Sequence, residues 1–125
     1  MAQHNDLGKK GEALAKIFLE KNGFTILHQN WRHLKAEVDF IAMNDKELVI
    51  VEVKTRATDF FGAPDEAVGK HKQKMLSNAA NDFIIQQNLG CEVRFDIISI
   101  TFVQNQPRIN HIKDAFYPYS SELDD

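Results

Sequence analysis

Two short alternating runs separated by a polar tetrapeptide place the strongest constraint on this chain. Ala36 to Met43 sets Ala36, Val38, Phe40 and Ala42 on one face and Glu37, Asp39 and Ile41 on the other, the two-residue period of a strand. Leu48 to Lys54 alternates likewise, with Val49, Val51 and Val53 opposed to Leu48, Ile50, Glu52 and Lys54. The link Asn44-Asp45-Lys46-Glu47 is short and polar, so the runs read as a β-hairpin. Gathering the apolar residues on one side requires paired residue numbers to sum to an odd value, and a four-residue loop pairs Met43 with Leu48. Asp39 then falls opposite Glu52, Glu37 opposite Lys54, Val38 opposite Val53 and Phe40 opposite Val51, with directly opposed Cβ atoms about 5 Å apart. One surface is apolar, and the other collects three carboxylates and an ammonium.

The rest of the chain supplies elements to pack on that hairpin. Leu7 to Glu20 has helical spacing at Leu7, Leu14, Ile17 and Phe18, with Asp6 as N-cap and Asn22-Gly23 as terminator. Phe24 to Trp31 reads as a strand, followed by the loop Arg32 to Lys35. A second helix is expected from near Pro64 to about Gln87, with an apolar stripe of Val68, Met75, Leu76, Ala79, Ala80, Phe83 and Ile84. Lys72 lies at the edge of that stripe, whereas Lys70 and Lys74 point outward. Glu92 to Phe102 reads as a further strand, and a short one over Ile109 to Ile112 follows the turn at Pro107. The reading is an α/β domain of order αβββαβ with a short terminal strand, its mixed central sheet flanked by helices. Residues 1–119 form one domain and 120–125 a flexible acidic tail.

Composition agrees with one soluble domain: 125 residues, 43% of them apolar, suffice for a single core. No strictly apolar run exceeds Leu48–Val51, so no membrane span is expected, and the N-terminus has no export signal. The single Cys91 excludes an internal disulfide and suits a reducing compartment, so the cytoplasm is the expected location. A net charge of −3 argues at first against nucleic acid, but Glu122, Asp124 and Asp125 carry that whole excess. Lys54 to Lys74 holds five Lys or Arg against three acids, and local patches govern such binding.

Paired carboxylates on neighbouring strands, with a lysine two residues beyond the second, have a specific chemical use. Hard oxygen ligands hold Mg2+ or Mn2+, which lowers the pKa of bound water and withdraws charge from a phosphodiester. An ammonium beside that water orients it and offsets charge on the phosphate oxygens.

These residues carry a resemblance. Val38-Asp39 and Val51-Glu52-Val53-Lys54, after a helix bearing Gly11-Glu12, are similar to the Holliday junction resolvase-like branch of the PD-(D/E)xK nuclease superfamily. The ordered blocks Gly8, Gly11-Glu12, Asn30-Trp31-Arg32, Glu37-Val38-Asp39, Val51 to Arg56, Phe61-Gly62, Lys72-Gln73, Arg94-Phe95-Asp96 and Ala115-Phe116 resemble the UPF0102 (YraN-like) family over residues 8–116. The resemblance implies a restriction-endonuclease-like core and a Mg2+-dependent (or Mn2+-dependent) endonuclease acting on DNA, branched or structured DNA included. It implies Asp39, Glu52 and the Val53 carbonyl as metal ligands, Glu12 completing the set, and Lys54 positioning the attacking water. Lys72 and Arg56 would meet the substrate backbone, and resolvase-like relatives imply a homodimer. Ala36 departs from the glycine that usually precedes Glu37 in the family.

Plainer readings stand beside each of these. Asp39, Glu52 and Lys54 could form a solvated strand face, Glu12 a helix-surface acid explained by the helix dipole, and Lys72 a stem laid across the core with its charge outward. Glu37 is read as pairing with Lys54 or Arg56 and Asp96 as a structural partner of Arg94. The five histidines lack zinc spacing, and Cys91 reads as a small, at least half-buried apolar residue. Phe60 and Phe61 are core plugs or base-stacking residues. The rival to an enzyme is a non-catalytic nucleic-acid-binding or protein-interaction module with a nuclease-like fold, serving a repair or recombination assembly.

Overall fold

The computed structural model describes residues 2–34, 36–57 and 68–117, with side chains from Asp6 onward. In chain order the elements are α1 (Ala2–Lys21), β1 (Thr25–His33), β2 (Ala36–Asn44), β3 (Glu47–Arg56), α2 (Lys70–Gln87), β4 (Glu92–Val103) and β5 (Gln106–Phe116). The strands form one sheet in the order β1-β2-β3-β4-β5. β3 and β4 are parallel and the other neighbours antiparallel, which is the expected mixed sheet flanked by helices. The parallel pair needs a crossover longer than a hairpin turn, and α2 lies within it.

Both faces of the sheet are covered. Val49, Val51 and Phe40 pack with Ala15 and Leu19 of α1, whereas Leu48, Ile50 and Ile41 pack with Leu76, Ala79, Ala80 and Phe83 of α2. The expected division into one apolar and one charged hairpin surface is therefore corrected. Leu48 to Val51 is continuous because a strand under helices on both sides buries every residue.

The hairpin register is as expected from Met43↔Leu48 to Phe40↔Val51, but the ladder ends there, so the expected pairs Asp39–Glu52, Val38–Val53 and Glu37–Lys54 do not form. Val38 and Val53 lie in clusters on opposite faces. At the other end Asn44 also pairs with Glu47. The loop is thus a two-residue turn at Asp45-Lys46, with Asp45 at φ 60°. Alternation along β2 slips at Asp39: Val38 joins the cluster under α2, while Phe40, two residues on, joins the one under α1. Opposite, in β1, Asn30 adopts a left-handed φ of 54° between the pairs Gln29↔Phe40 and Trp31↔Val38. Across this break Ala36 and Val38 do not share a face with Phe40 and Ala42.

α1 begins at Ala2, which puts Asp6 inside the helix instead of at its cap. Its buried stripe is Gly11, Ala15 and Leu19, spaced by four, and Ile17 is 51% exposed on the far side. Small residues at two of those positions let the helix axis approach the sheet. A Cβ on Gly11 would lie 2.0 Å from Thr55 Oγ1 in β3, so only glycine fits this crossing. α2 starts at Lys70, because Gly69 is extended, and ends at Asn88, whose left-handed conformation lets its N–H reach the Ile85 carbonyl at 3.2 Å. Its buried Leu76, Ala79, Ala80 and Phe83 fall on the expected stripe, Ser77 is buried beside them, Val68 of that stripe precedes the helix, and Lys70 and Lys74 are exposed. Pro64, Phe60, Phe61 and the acidic tail lie outside the described residues.

β5 is longer than the expected strand. Its edge position leaves Arg108, Asn110 and Lys113 in solvent, which hides the alternation. Arg94 and Asp96 pair structurally as expected: Arg94 Nε and Nη2 donate to Asp96 at 2.9 and 2.8 Å. The fully buried Asp96 also meets His111 Nε2 at 2.8 Å and accepts the Asp114 N–H at 3.0 Å. Burial works against its charge, but the hydrogen bonds from His111, Arg94 and Asp114 hold the carboxyl below its ordinary value. Cys91 is half-buried against the α2-side cluster.

Candidate active site

The candidate centre occupies the point where β2 and β3 part. The last pair of the ladder is Phe40↔Val51. One step beyond, the Val53 N–H donates to Asp39 Oδ2 at 2.8 Å. A side-chain carboxylate thus satisfies a donor on β3 at the position where β2 changes face, which aims Asp39 sideways into the seam between the strands.

Glu52 lies beside it and is only 4% exposed. Its Oε2 receives the Lys72 ammonium from α2 and lies 3.6 Å from Lys54 Nζ. Its Oε1 is buried without a hydrogen-bond partner. Burial pushes the Asp39 carboxyl up to about 7, the Glu52 charge adds to this, the Val53 N–H opposes it, Glu12 raises it further and Lys72 lowers it. Burial works against the charge of Lys72, but its hydrogen bond and attraction to Glu52 raise its pKa. The ammonium therefore turns inward to Glu52, correcting the reading in which it points to solvent.

Glu12 sits in the middle of α1, so a dipole explanation of its position is removed. Its Oε1 accepts from Gln29 Nε2 at 3.5 Å and Asn30 Nδ2 at 3.3 Å, and its charge is felt at Asp39. Asp39, Glu52, Lys54 and Lys72 are thus brought together, with Glu12 at their flank. Arg56 ends the paired part of β3 opposite Thr101, on the strand face of Glu52 and Lys54 by alternation. Glu37 instead pairs with its cross-strand neighbour Arg32 at 3.7 Å, both exposed, in place of Lys54 or Arg56. A cleft of about 370 Å³ between β2 and α2 is lined by Glu37, Asp39, His71, Lys72 and Met75 among others.

Sequence reasoning gave no role to Gln29 or Asn30. The signal that could have found them is an asparagine, the residue type most tolerant of left-handed backbone after glycine, interrupting a strand pattern.

The donor set suits a divalent cation: hard carboxylate oxygens, one of them buried and unsatisfied, beside a second carboxyl that burial and like charge raise to about 7. Among the described residues, no three His, Cys, Asp or Glu groups are already gathered at ligand spacing. Such a cation would rest first on Asp39 and Glu52.

An α/β domain with a mixed five-stranded sheet between helices, carrying carboxylates and ammonium groups at a parted hairpin, is the class that fold and site define. Residues 11–100 match the family described as Uncharacterised protein family UPF0102, and the chain belongs to that family. It is 47% identical over 119 residues to a UPF0102 protein of Flavobacterium psychrophilum, covering 95% of this chain and 100% of that one. A UPF0102 protein of Bacteroides thetaiotaomicron is 47% identical over 118 residues (94% and 98% covered), and one of Geobacter metallireducens 44% over 118 (93% and 97%). No helix of the described residues is long and apolar enough to cross a membrane.

Proposed function

We propose that this protein is a Mg2+- or Mn2+-dependent endonuclease of the PD-(D/E)xK kind, hydrolysing phosphodiester bonds in branched or otherwise structured DNA in the cytoplasm. The observation that carries the reading is the buried, unpartnered Glu52 Oε1 next to an Asp39 carboxyl raised to about 7. Lys72 and Lys54 lie at the other oxygen, Oε2, so it is Oε1 that a cation would satisfy.

Asp39, Glu52 and the Val53 carbonyl would hold the cation, with Glu12 closing the set. When bound, such a cation makes a coordinated water acidic and offsets charge on the phosphate oxygens. Lys54, on the strand face of Glu52, holds the attacking water and steadies charge developing on the phosphate. The Lys72 ammonium becomes available to a phosphate oxygen when Glu52 is otherwise neutralised, and Arg56 meets the strand further along.

The Lys72–Glu52 ion pair favours one second reading. A lysine that already neutralises the carboxylate suits a non-catalytic module that binds nucleic acid or a protein partner.

Cleavage of duplex, single-stranded, flapped and four-way-junction DNA in Mg2+ or Mn2+ separates the two, with wild type, Asp39→Ala and Lys54→Ala prepared identically. Metal-dependent cutting lost in both variants is expected. Binding that metal and both substitutions leave unchanged, with no cutting, would sustain the module instead.

A further inference from the structure

Beyond the carboxylates, an open and largely apolar groove of about 530 Å³ runs along the outer part of β1, β2 and α2, lined by His33, Leu34, Ala36, His71, Met75 and Asn78. It shares Ala36, His71 and Met75 with the cleft that holds Asp39 and Lys72, so the two form one continuous depression. Its floor is rigid. The His33 ring lies parallel to Trp31 with centroids 5.5 Å apart, Trp31 abuts Phe83 edge-on, and His33 Nε2 meets Asp82 of α2.

At the mouth of the groove stands Leu34, 92% exposed and at a φ of 55°. The other described non-glycine residues with positive φ are Asn, Asp or Gln, the first two of which tolerate this conformation. For leucine it costs about 1–2 kcal/mol, and full exposure recovers nothing from burial. Glycine or asparagine would make the same turn without cost. A large apolar side chain kept in solvent under backbone strain, beside a site, makes Leu34 a candidate for contact with a ligand.

We propose that Leu34 is a wedge and the groove a seat for one unpaired base of the DNA strand, next to the phosphate held at Asp39 and Lys72. This deepens the nuclease reading and rests on it. The occupant follows from the chemistry: a flat ring with apolar faces and polar edges fits walls of Leu34, Met75 and Ala36 with His71 and Asn78 at their margins. The continuity of groove and cleft places that base within one strand's reach of the carboxylates. Apolar wedges of this kind enter base steps and hold them open. The substrate so defined has an unpaired nucleotide at the cut, as a flap or branch does and an intact duplex does not.

The test uses the full chain with DNA carrying 2-aminopurine at the unpaired position of a flap, and the matching intact duplex, in Ca2+ to limit cutting. Wild type is expected to bind flapped DNA more tightly than duplex and to change the fluorescence of the probe. Leu34→Ser should weaken flap binding about 5- to 150-fold, the range of one base-stacking contact, and leave duplex binding unchanged, and Met75→Gln should weaken flap binding as well. Because Leu34 is exposed, Leu34→Ser should unfold at or above the wild-type temperature, so a folding defect cannot supply the result. Equal binding of flap and duplex, no binding of either, or wild-type flap binding by both variants overturns the wedge. Cleavage in Mg2+ tells the two claims apart. Duplex cut as readily as flap, with Leu34→Ser unaffected, overturns the groove and leaves the nuclease. Flap-selective binding lost in Leu34→Ser, without cutting by any preparation, leaves the groove and overturns the nuclease.

Discussion

Replacing Gly11 by alanine tests the packing that sets Glu12 beside Asp39. The added methyl would lie 2.0 Å from Thr55 Oγ1, 2.9 Å from Cγ2 and 3.0 Å from Cβ, so rotating the threonine does not clear it. Overpacking of this sort costs about 1–3 kcal/mol. Alanine returns about 1 kcal/mol in the middle of a helix, because glycine has the greater backbone entropy to lose. The expected net loss is up to about 2 kcal/mol, read by urea unfolding from the fluorescence of Trp31, the one tryptophan, which packs against Phe83. In a Thr55→Ala background the two shortest contacts are gone, and the same substitution should become neutral or stabilising by up to about 1 kcal/mol. A stabilising Gly11→Ala in the wild-type background would refute the close approach of α1 to β3.

Three further outcomes follow from the same geometry. A folded-state pKa of about 7 for Asp39, against an ordinary 3.8, means that its favourable contribution is complete below about pH 4 and is lost as pH rises to 7. Asp39→Asn, which keeps an acceptor for the Val53 N–H, should therefore match wild type near pH 4 and exceed it at pH 8 by up to a few kcal/mol, lessened by solvent at this half-buried site; unfolding curves at the two pH values check this. Asp96→Ala should cost about 3 kcal/mol by urea unfolding at pH 7, since it removes the acceptor of His111 and the Asp114 N–H and leaves the Arg94 guanidinium with Glu47 alone. Because the Asp96 pKa is lowered, that deficit should shrink as pH falls below the ordinary carboxylate range. Asn30→Gly retains the left-handed backbone but removes an amide from Glu12; Mn2+ affinity should fall while the unfolding free energy changes by less than about 1 kcal/mol, and unchanged Mn2+ affinity would deny Glu12 a part in the site.

What could be read from the sequence depended on how regular each signal was. The hairpin register followed from the parity of apolar positions, and Phe40 does face Val51. The α2 stripe was legible because leucine, alanine and phenylalanine recur at helical spacing against an otherwise polar segment. The slip at Asp39 was not, since a break in strand alternation, like the left-handed φ of Asn30 opposite it, is a backbone state that hydrophobic patterning does not encode. Ile17 misled for a related reason: the helix face toward the sheet was chosen by the small residues Gly11 and Ala15, which a count of large apolar residues overlooks. At the site, the types and spacing of Asp39, Glu52 and Lys54 pointed to one cluster. The inward turn of Lys72 and the amides on Glu12 depend on tertiary packing and could not be seen.

The central claim is that Asp39 and Glu52 form a divalent-cation site, and calorimetric titration of Mn2+ into the apo protein at pH 7.5 addresses it most directly. The account predicts saturable binding that Asp39→Asn and Glu52→Gln each abolish while both variants stay folded. Absence of binding heat in wild type, or binding that survives both substitutions, would contradict it.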